Sequence, residues 1–332
     1  MLHRMTNDEF YTSLVAEYNK PYVGWDMSYL KGRRVDLHTE SRWDYTATVL
    51  AAMQTAESML DMGTGGGERL ASLASMRPLP AKTYATEGYV PNISVARQRL
   101  EPLGVTVVAI DDDQHLPFVD EQFDLVINRH ASYDAHEVLR ILKPGQRFIT
   151  QQVGDQTNCK LHELFGYKPK DTFYPGAEQK HAWNLAYAVR ELQDAGWQII
   201  EQEEDFFTTR YYDVGAIVYY LKAIPWEIPD FSVEKYFDKL LEIDQLIERD
   251  GYVDVLFHQF FIVARKEGDG EEEAGEEEAD AKFPGDHKGR HYNDDDGTAR
   301  CAARTYHSSG VPLWSPGNLT TPSVMHEDTR VT

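Results

Sequence analysis

Short apolar runs alternate with helically spaced segments along most of the chain. Thr6-Asn7-Asp8-Glu9 is a capping box ahead of Phe10, Leu14 and Val15, so a helix is predicted there, and Asn19-Lys20-Pro21 stops it. Residues 22–44 read as loop, and a second helix is predicted over 43–56. Runs of strand length follow at 58–62, 83–86, 105–110, 125–128 and 147–151. Between them lie helical patterns from Glu68, near 93–100 and over 135–141. The body closes with a helix at 182–195, a strand at 198–205, an insertion and a strand at 255–264. The insertion holds helical patterns at 214–223 and 233–249, split by the stop Ile224-Pro225-Trp226-Glu227-Ile228-Pro229. Strands alternating with helices predict an α/β fold with a parallel sheet and right-handed crossovers.

Composition changes that picture at one end. After Lys266 an acidic, glycine-punctuated run extends to Asp280, and beyond it the large apolar residues are isolated. Such a segment cannot bury enough apolar surface to offset its ordering entropy. The expected organisation is therefore one folded domain over 1–266 and an acidic, disordered tail over 267–332. The tail carries 15 acidic and 6 basic residues of a chain whose net charge is −22. The body keeps 40 acidic against 27 basic, a surface that argues against nucleic acid and anionic lipid as partners. No run approaches the roughly 20 apolar residues of a membrane span, and the first ten residues lack a secretory apolar core. Two distant thiols, Cys159 and Cys301, do not suggest a disulfide framework, and the histidines show no metal-ligand clustering. A cytoplasmic protein without metal or membrane contact is expected.

The strongest chemical signal is Asp61-Met62-Gly63-Thr64-Gly65-Gly66-Gly67-Glu68. An apolar strand ends at an acid, a glycine loop follows, and a helix starts. Glycines at alternate positions permit positive φ and let a ligand approach bare backbone. A dinucleotide loop would space its third glycine one residue further on. Glu68 at the helix start would repel a pyrophosphate and suits a ligand with a cationic end and no phosphate.

Here the sequence resembles the class I S-adenosylmethionine-dependent methyltransferases, whose first motif is acid-x-Gly-x-Gly-x-Gly. The resemblance is close over 58–153 and architectural elsewhere. It implies a doubly wound, mostly parallel seven-stranded sheet with an antiparallel last strand, N-terminal cover helices and a helical insertion before that strand. It implies S-adenosylmethionine as cofactor, held by Asp61, Gly63, Thr64, Gly65 and Gly67. Glu87, ending Thr83-Tyr84-Ala85-Thr86-Glu87, would hold the ribose hydroxyls. The segment Asp111-Asp112-Asp113-Gln114-His115-Leu116-Pro117-Phe118 resembles the family's adenine-binding segment, with Asp112 or Asp113 at the base amine. Phe123–Asn128 and Glu137–Gln146 resemble the fourth-strand motif and the turn before strand five, which adds Asn128 to the cofactor set.

In open α/β sheets ligands lie beyond the carboxyl ends of the strands. The acceptor should therefore meet Arg129, His130 and Gln151 or Gln152. His130 is the candidate base or orienting group. Arg129 would bind an acidic acceptor or pair with Asp124 or Asp134. Gln151 and Gln152 point to opposite faces, so one of them faces the pocket. Tyr18, Tyr22 and Trp25 are candidates for the cover, stacking near the sulfonium. The expected reaction is methyl transfer to oxygen or nitrogen of a small organic acceptor. An RNA or protein methyltransferase and a catalytically silent interaction protein are the alternatives.

Overall fold

The computed structural model describes residues 5–22, 24, 26–37, 42–168 and 183–268. Trp25, residue 182 of the helix expected at 182–195, and the tail from residue 269 lie outside the described residues. The capping box forms: Glu9 N donates to the Thr6 hydroxyl at 3.3 Å, and Thr6 N donates to the Glu9 carboxylate at 2.8 Å. It starts helix α1, Asn7–Tyr18. Strand β1, Arg34–Leu37, and helix α2, Tyr45–Ala52, follow. The alternation then runs β2 Ser58–Met62, α3 Glu68–Met76, β3 Lys82–Glu87, α4 Val90–Leu100 and β4 Thr106–Ala109. After it come β5 Phe123–Arg129, α5 Ala135–Ile141, β6 Leu142–Val153 and a short helix α6, Cys159–Leu164. The chain continues through α7 Leu185–Asp194, β7 Trp197–Tyr211, α8 Val214–Ala223, α9 Phe237–Asp250 and β8 Val253–Lys266.

Among the described residues the sheet has eight strands in the order β1-β7-β8-β6-β5-β2-β3-β4. Strands β2 to β6 pair in parallel, whereas β8 runs antiparallel to both β6 and β7. The antiparallel last strand is as expected, and the strand count is corrected from seven to eight. The extra strand, β1, lies inside the segment read as loop. It exists because β7 runs on past its expected end at 205, so that Thr208–Tyr211 pair antiparallel with Leu37–Arg34. After β4 the chain returns to β5 on the other side of β2, which makes the β2/β5 junction the switch point where such sheets bind ligands.

One face of the sheet is covered by α2, α3 and α4, whose Val49, Leu70, Leu73 and Leu100 cluster with Met59, Leu125, Ile127 and Phe261. The other is covered by α5 and α7 over Leu60, Val126, Phe148 and Phe260. The cover helix and the insertion pack together as one cap built around α8, which is buried all round except at Lys222. Lys222 turns back onto the cover segment. Its Nζ donates to the Lys20 carbonyl at 3.1 Å and stands over the Tyr18 ring. Among the described residues, no helix is long and apolar enough to cross a membrane, and no group of three or more His, Cys, Asp or Glu residues is arranged to hold a metal ion.

Candidate functional site

The glycine loop hangs between the ends of β2 and β3. Gly63 N donates to the Thr86 hydroxyl at 3.3 Å, and Thr64 N donates to the Thr86 carbonyl at 2.9 Å. Gly63, Gly65 and Gly67 all take positive φ. Two of them also lack room: a Cβ on Gly63 would stand 2.3 Å from that of Ala131, and one on Gly67 would stand 2.7 Å from Leu100. The Thr64 hydroxyl donates to Asp61 at 2.7 Å. Burial, aided by repulsion from Glu87, pushes the Asp61 carboxyl up to about 7. Glu87 is buried too and its pKa is raised, although its carboxylate accepts N–H groups from Tyr89, at 2.7 Å, and from Gly65 and Gly88. The structure thus brings Asp61, Gly63, Thr64, Gly65, Gly67 and Glu87 together.

The two aspartates after β4 separate. Asp112 turns its own chain by accepting from Gln114 N and His115 N, both at 2.9 Å. Asp113 is buried, its pKa raised by burial, and it accepts from the Ser132 hydroxyl in the loop after β5. Glu68 does not wait for a cationic ligand. Arg99 binds it and the Gly66 carbonyl as well. Gly24 does reach the start of α3: a Cβ there would stand 2.4 Å from Glu68 Oε1. Tyr18, however, is placed in the cap, 6.1 Å from the Phe231 ring.

Strand alternation sorts the remaining candidates onto two faces. Asn128 faces the α5/α7 side and is fully buried. Its Oδ1 accepts from Gln152 Nε2 at 2.6 Å and from the Thr150 hydroxyl at 3.1 Å, and its Nδ2 donates to the Ser132 carbonyl. Arg129 and Gln151 face the α2/α3 side. Trp43 Nε1 donates to Gln151 Oε1 at 3.1 Å, which turns the Gln151 amide nitrogen toward Gln259 Oε1 and His130 Nε2, each at 3.3 Å. His130 itself sits at φ +60, with its N–H bound to the Gln151 carbonyl at 2.9 Å. The surrounding protein, then Arg129 and Arg69, hold its imidazole well below the usual range, so the ring is neutral near pH 7.

Arg69, Trp43, Tyr45 and Gln259 enter this layer without having been singled out in the sequence. Trp43 and Tyr45 form an aromatic pair at the head of α2, a usable signal. Arg69, beside the apolar Leu70 and Leu73, reads as an ordinary solvated helix residue. Together with Gln151, Arg42, Asp44 and Thr46, these four line a cavity of about 560 Å³.

Residues 60–150 match the family model described as "Methyltransferase domain". Over 143 residues the chain is 26% identical to the mitochondrial 2-methoxy-6-polyprenyl-1,4-benzoquinol methylase of Danio rerio, covering 38% of this chain and 44% of that protein. Over 115 residues it is 29% identical to a ubiquinone/menaquinone biosynthesis C-methyltransferase of Cupriavidus pinatubonensis, covering 32% and 47%. A demethylmenaquinone methyltransferase of Thermobifida fusca is 26% identical over 193 residues, covering 51% and 80%. The chain spans about half the length of the first two of these relatives. Among solved structures, the YcgJ protein of Bacillus subtilis aligns with TM-score 0.44 at 16% identity, over 67% of this chain and 98% of that one. The matched stretch, residues 60–150, spans the glycine loop, Glu87, Asp113 and the loop after β5, so the part of the chain that is similar to a methyltransferase domain is the part that builds this site.

Proposed function

We propose that this chain is an enzyme that transfers a methyl group from S-adenosylmethionine to a small organic acceptor. The observation that carries this reading is the loop at the switch point, locked between two buried carboxyls on neighbouring strands. The residues fit the cofactor chemically. Glu87, beside Gly65, suits a ribose diol. Asp113 suits the adenine amine better than Asp112, whose oxygen already turns the chain. Asp61 is a buried carboxyl near neutrality, and a cationic ligand group would draw it back to the charged form. When bound, the cofactor supplies a sulfonium-activated methyl carbon open to in-line displacement.

The chain's own work is then mainly to hold the acceptor in line, which contributes up to about 7–11 kcal/mol in ideal cases. Gln151, fixed by Trp43, donates to His130 Nε2, so the proton of this neutral ring sits on Nδ1. A ring whose charged form is disfavoured by two neighbouring cations is a weak base. His130 therefore orients the acceptor and is not its main proton acceptor. The acceptor atom is oxygen or nitrogen, and carbon joins them because the Cupriavidus relative is named a C-methyltransferase.

Calorimetric titration with S-adenosylmethionine tests the reading. Saturable binding is expected, weakened about tenfold or more in Gly63→Ala, whose new Cβ would collide with Ala131. Absence of binding at millimolar cofactor would sink it.

A further inference from the structure

Among the described residues, two cations in the polar layer make no ion pair. The Arg69 and Arg129 guanidinium carbons stand 5.6 and 6.0 Å from the centre of the Tyr45 ring. Among the described residues neither has a carboxylate within ion-pair distance. The partners that the sequence offers Arg129 are engaged elsewhere. Asp124 receives Lys143 Nζ at 2.6 Å, and Asp134 caps α5 by accepting from Glu137 N at 2.8 Å. Asp61 shares their face but is itself pushed toward neutrality. Burial and the neighbouring Arg69 lower the pKa of Arg129, and the more distant Asp61 offsets this only in part.

Around the Tyr45 ring, three buried polar atoms have no hydrogen-bond partner among the described residues: Nε of Arg69, Nε of Arg129 and the hydroxyl of Tyr45, a side chain only 4% exposed. Most buried polar groups in folded proteins are matched by protein atoms, water or a bound group. Arg69 and Tyr45 open onto the 560 Å³ cavity, whose floor is Gln151 of β6 and Gln259 of β8. That floor lies across β5 and β2 from Glu87 of β3, on the acceptor side of the switch point.

We propose that the methyl acceptor carries an oxyanion, a carboxylate or a phosphate, bound by Arg69, Arg129 and the Tyr45 hydroxyl. An oxyanion accepts from all three donors at once and neutralises the like-charged pair, and the planar guanidinium fork is the side chain best matched to it. The inference rests on the methyltransferase reading above.

The test uses the full chain saturated with S-adenosylhomocysteine and titrated with benzoate, phenyl phosphate and neutral benzamide. One or both anions should bind about tenfold or more tighter than benzamide, and which one does so identifies the oxyanion. Arg129→Gln and Arg69→Gln should each abolish that preference while leaving S-adenosylhomocysteine affinity within about twofold. The melting temperature of Arg129→Gln should be unchanged or higher, because a buried charge that makes no ion pair has been removed. Arg69→Gln, at the cavity wall, carries the test if Arg129→Gln fails to fold. Equal binding of the three probes, or a preference that survives both substitutions, overturns the proposal. So does a tenfold loss of S-adenosylhomocysteine affinity in the variants, which would assign the arginines to the cofactor's own carboxylate. Failure of the unaltered chain to bind S-adenosylhomocysteine would remove the methyltransferase reading itself and this inference with it.

Discussion

Asp61 is held at the end of β2 with one oxygen on the Thr64 hydroxyl and the other side of the carboxyl among buried neighbours. Its folded pKa of about 7 lies above its ordinary 3.8, so between those values the folded state binds more protons than the unfolded one. Asp61 therefore subtracts stability progressively as pH rises through that window. Asp61→Asn keeps an acceptor for Thr64 and removes the titration. Its melting temperature should exceed that of the unaltered chain at about pH 8, and the gap should close by about pH 4. A gap independent of pH, read by calorimetry, would count against this account. The same residue shows what is legible in a sequence. Asp61, the glycines and Glu87 announce themselves because one short segment and one fixed spacing encode them. Arg69, Tyr45, Gln151 and Gln259 come from four elements and meet only after folding. Asn128 resembled a cofactor contact by motif, yet strand parity turns it to the opposite face from Arg129.

At the scale of elements, the helices and strands of the 58–153 segment were legible because their periods are clean and their ends are marked. Strands β2 and β3 came out within a residue or two. Strand β1 was not legible: Arg34-Val35-Asp36-Leu37 has no alternation long enough to declare itself, and a distant partner makes it a strand. The cap was legible as two separate helical regions and not as one body. What joins them is Asp213, which accepts from Ala216 N at 2.8 Å as the α8 cap and binds Arg33 Nε at 2.9 Å, while Arg33 also reaches Glu17 of α1 at 3.2 Å. Losing the cap costs about 1 kcal/mol, and the partly exposed ion pair adds up to about 1 kcal/mol more. Asp213→Ala should lower stability by about 1–2 kcal/mol in urea unfolding, and Asp213→Asn, which keeps the cap, by about half of that.

Across the whole molecule, His258 ties the far end of the sheet together. Its Nε2 meets Glu204 of β7 at 2.9 Å and its Nδ1 meets Asp155, just past β6, at 3.4 Å. Burial opposes its charge, but the nearby Asp155 carboxylate and the hydrogen bond with Glu204 outweigh that and raise its pKa above 6.5. Glu204 is lowered from 4.5, chiefly by His258. The sign follows by linkage: the histidine's contribution is full below 6.5 and fades as pH rises through its folded value. The glutamate's contribution is full above 4.5 and fades as pH falls. The melting temperature should therefore fall above about pH 6.5, and His258→Gln should flatten that fall. On this same side of the sheet, β1 covers only Thr208–Tyr211, so among the described residues β7 offers an open edge over 197–207. An open edge recruits strands from neighbouring molecules and seeds aggregation. Glu201 and Glu203 stand along this one. A second copy approaching it would bring the same carboxylates against them, so crowded copies of the chain repel one another along this margin.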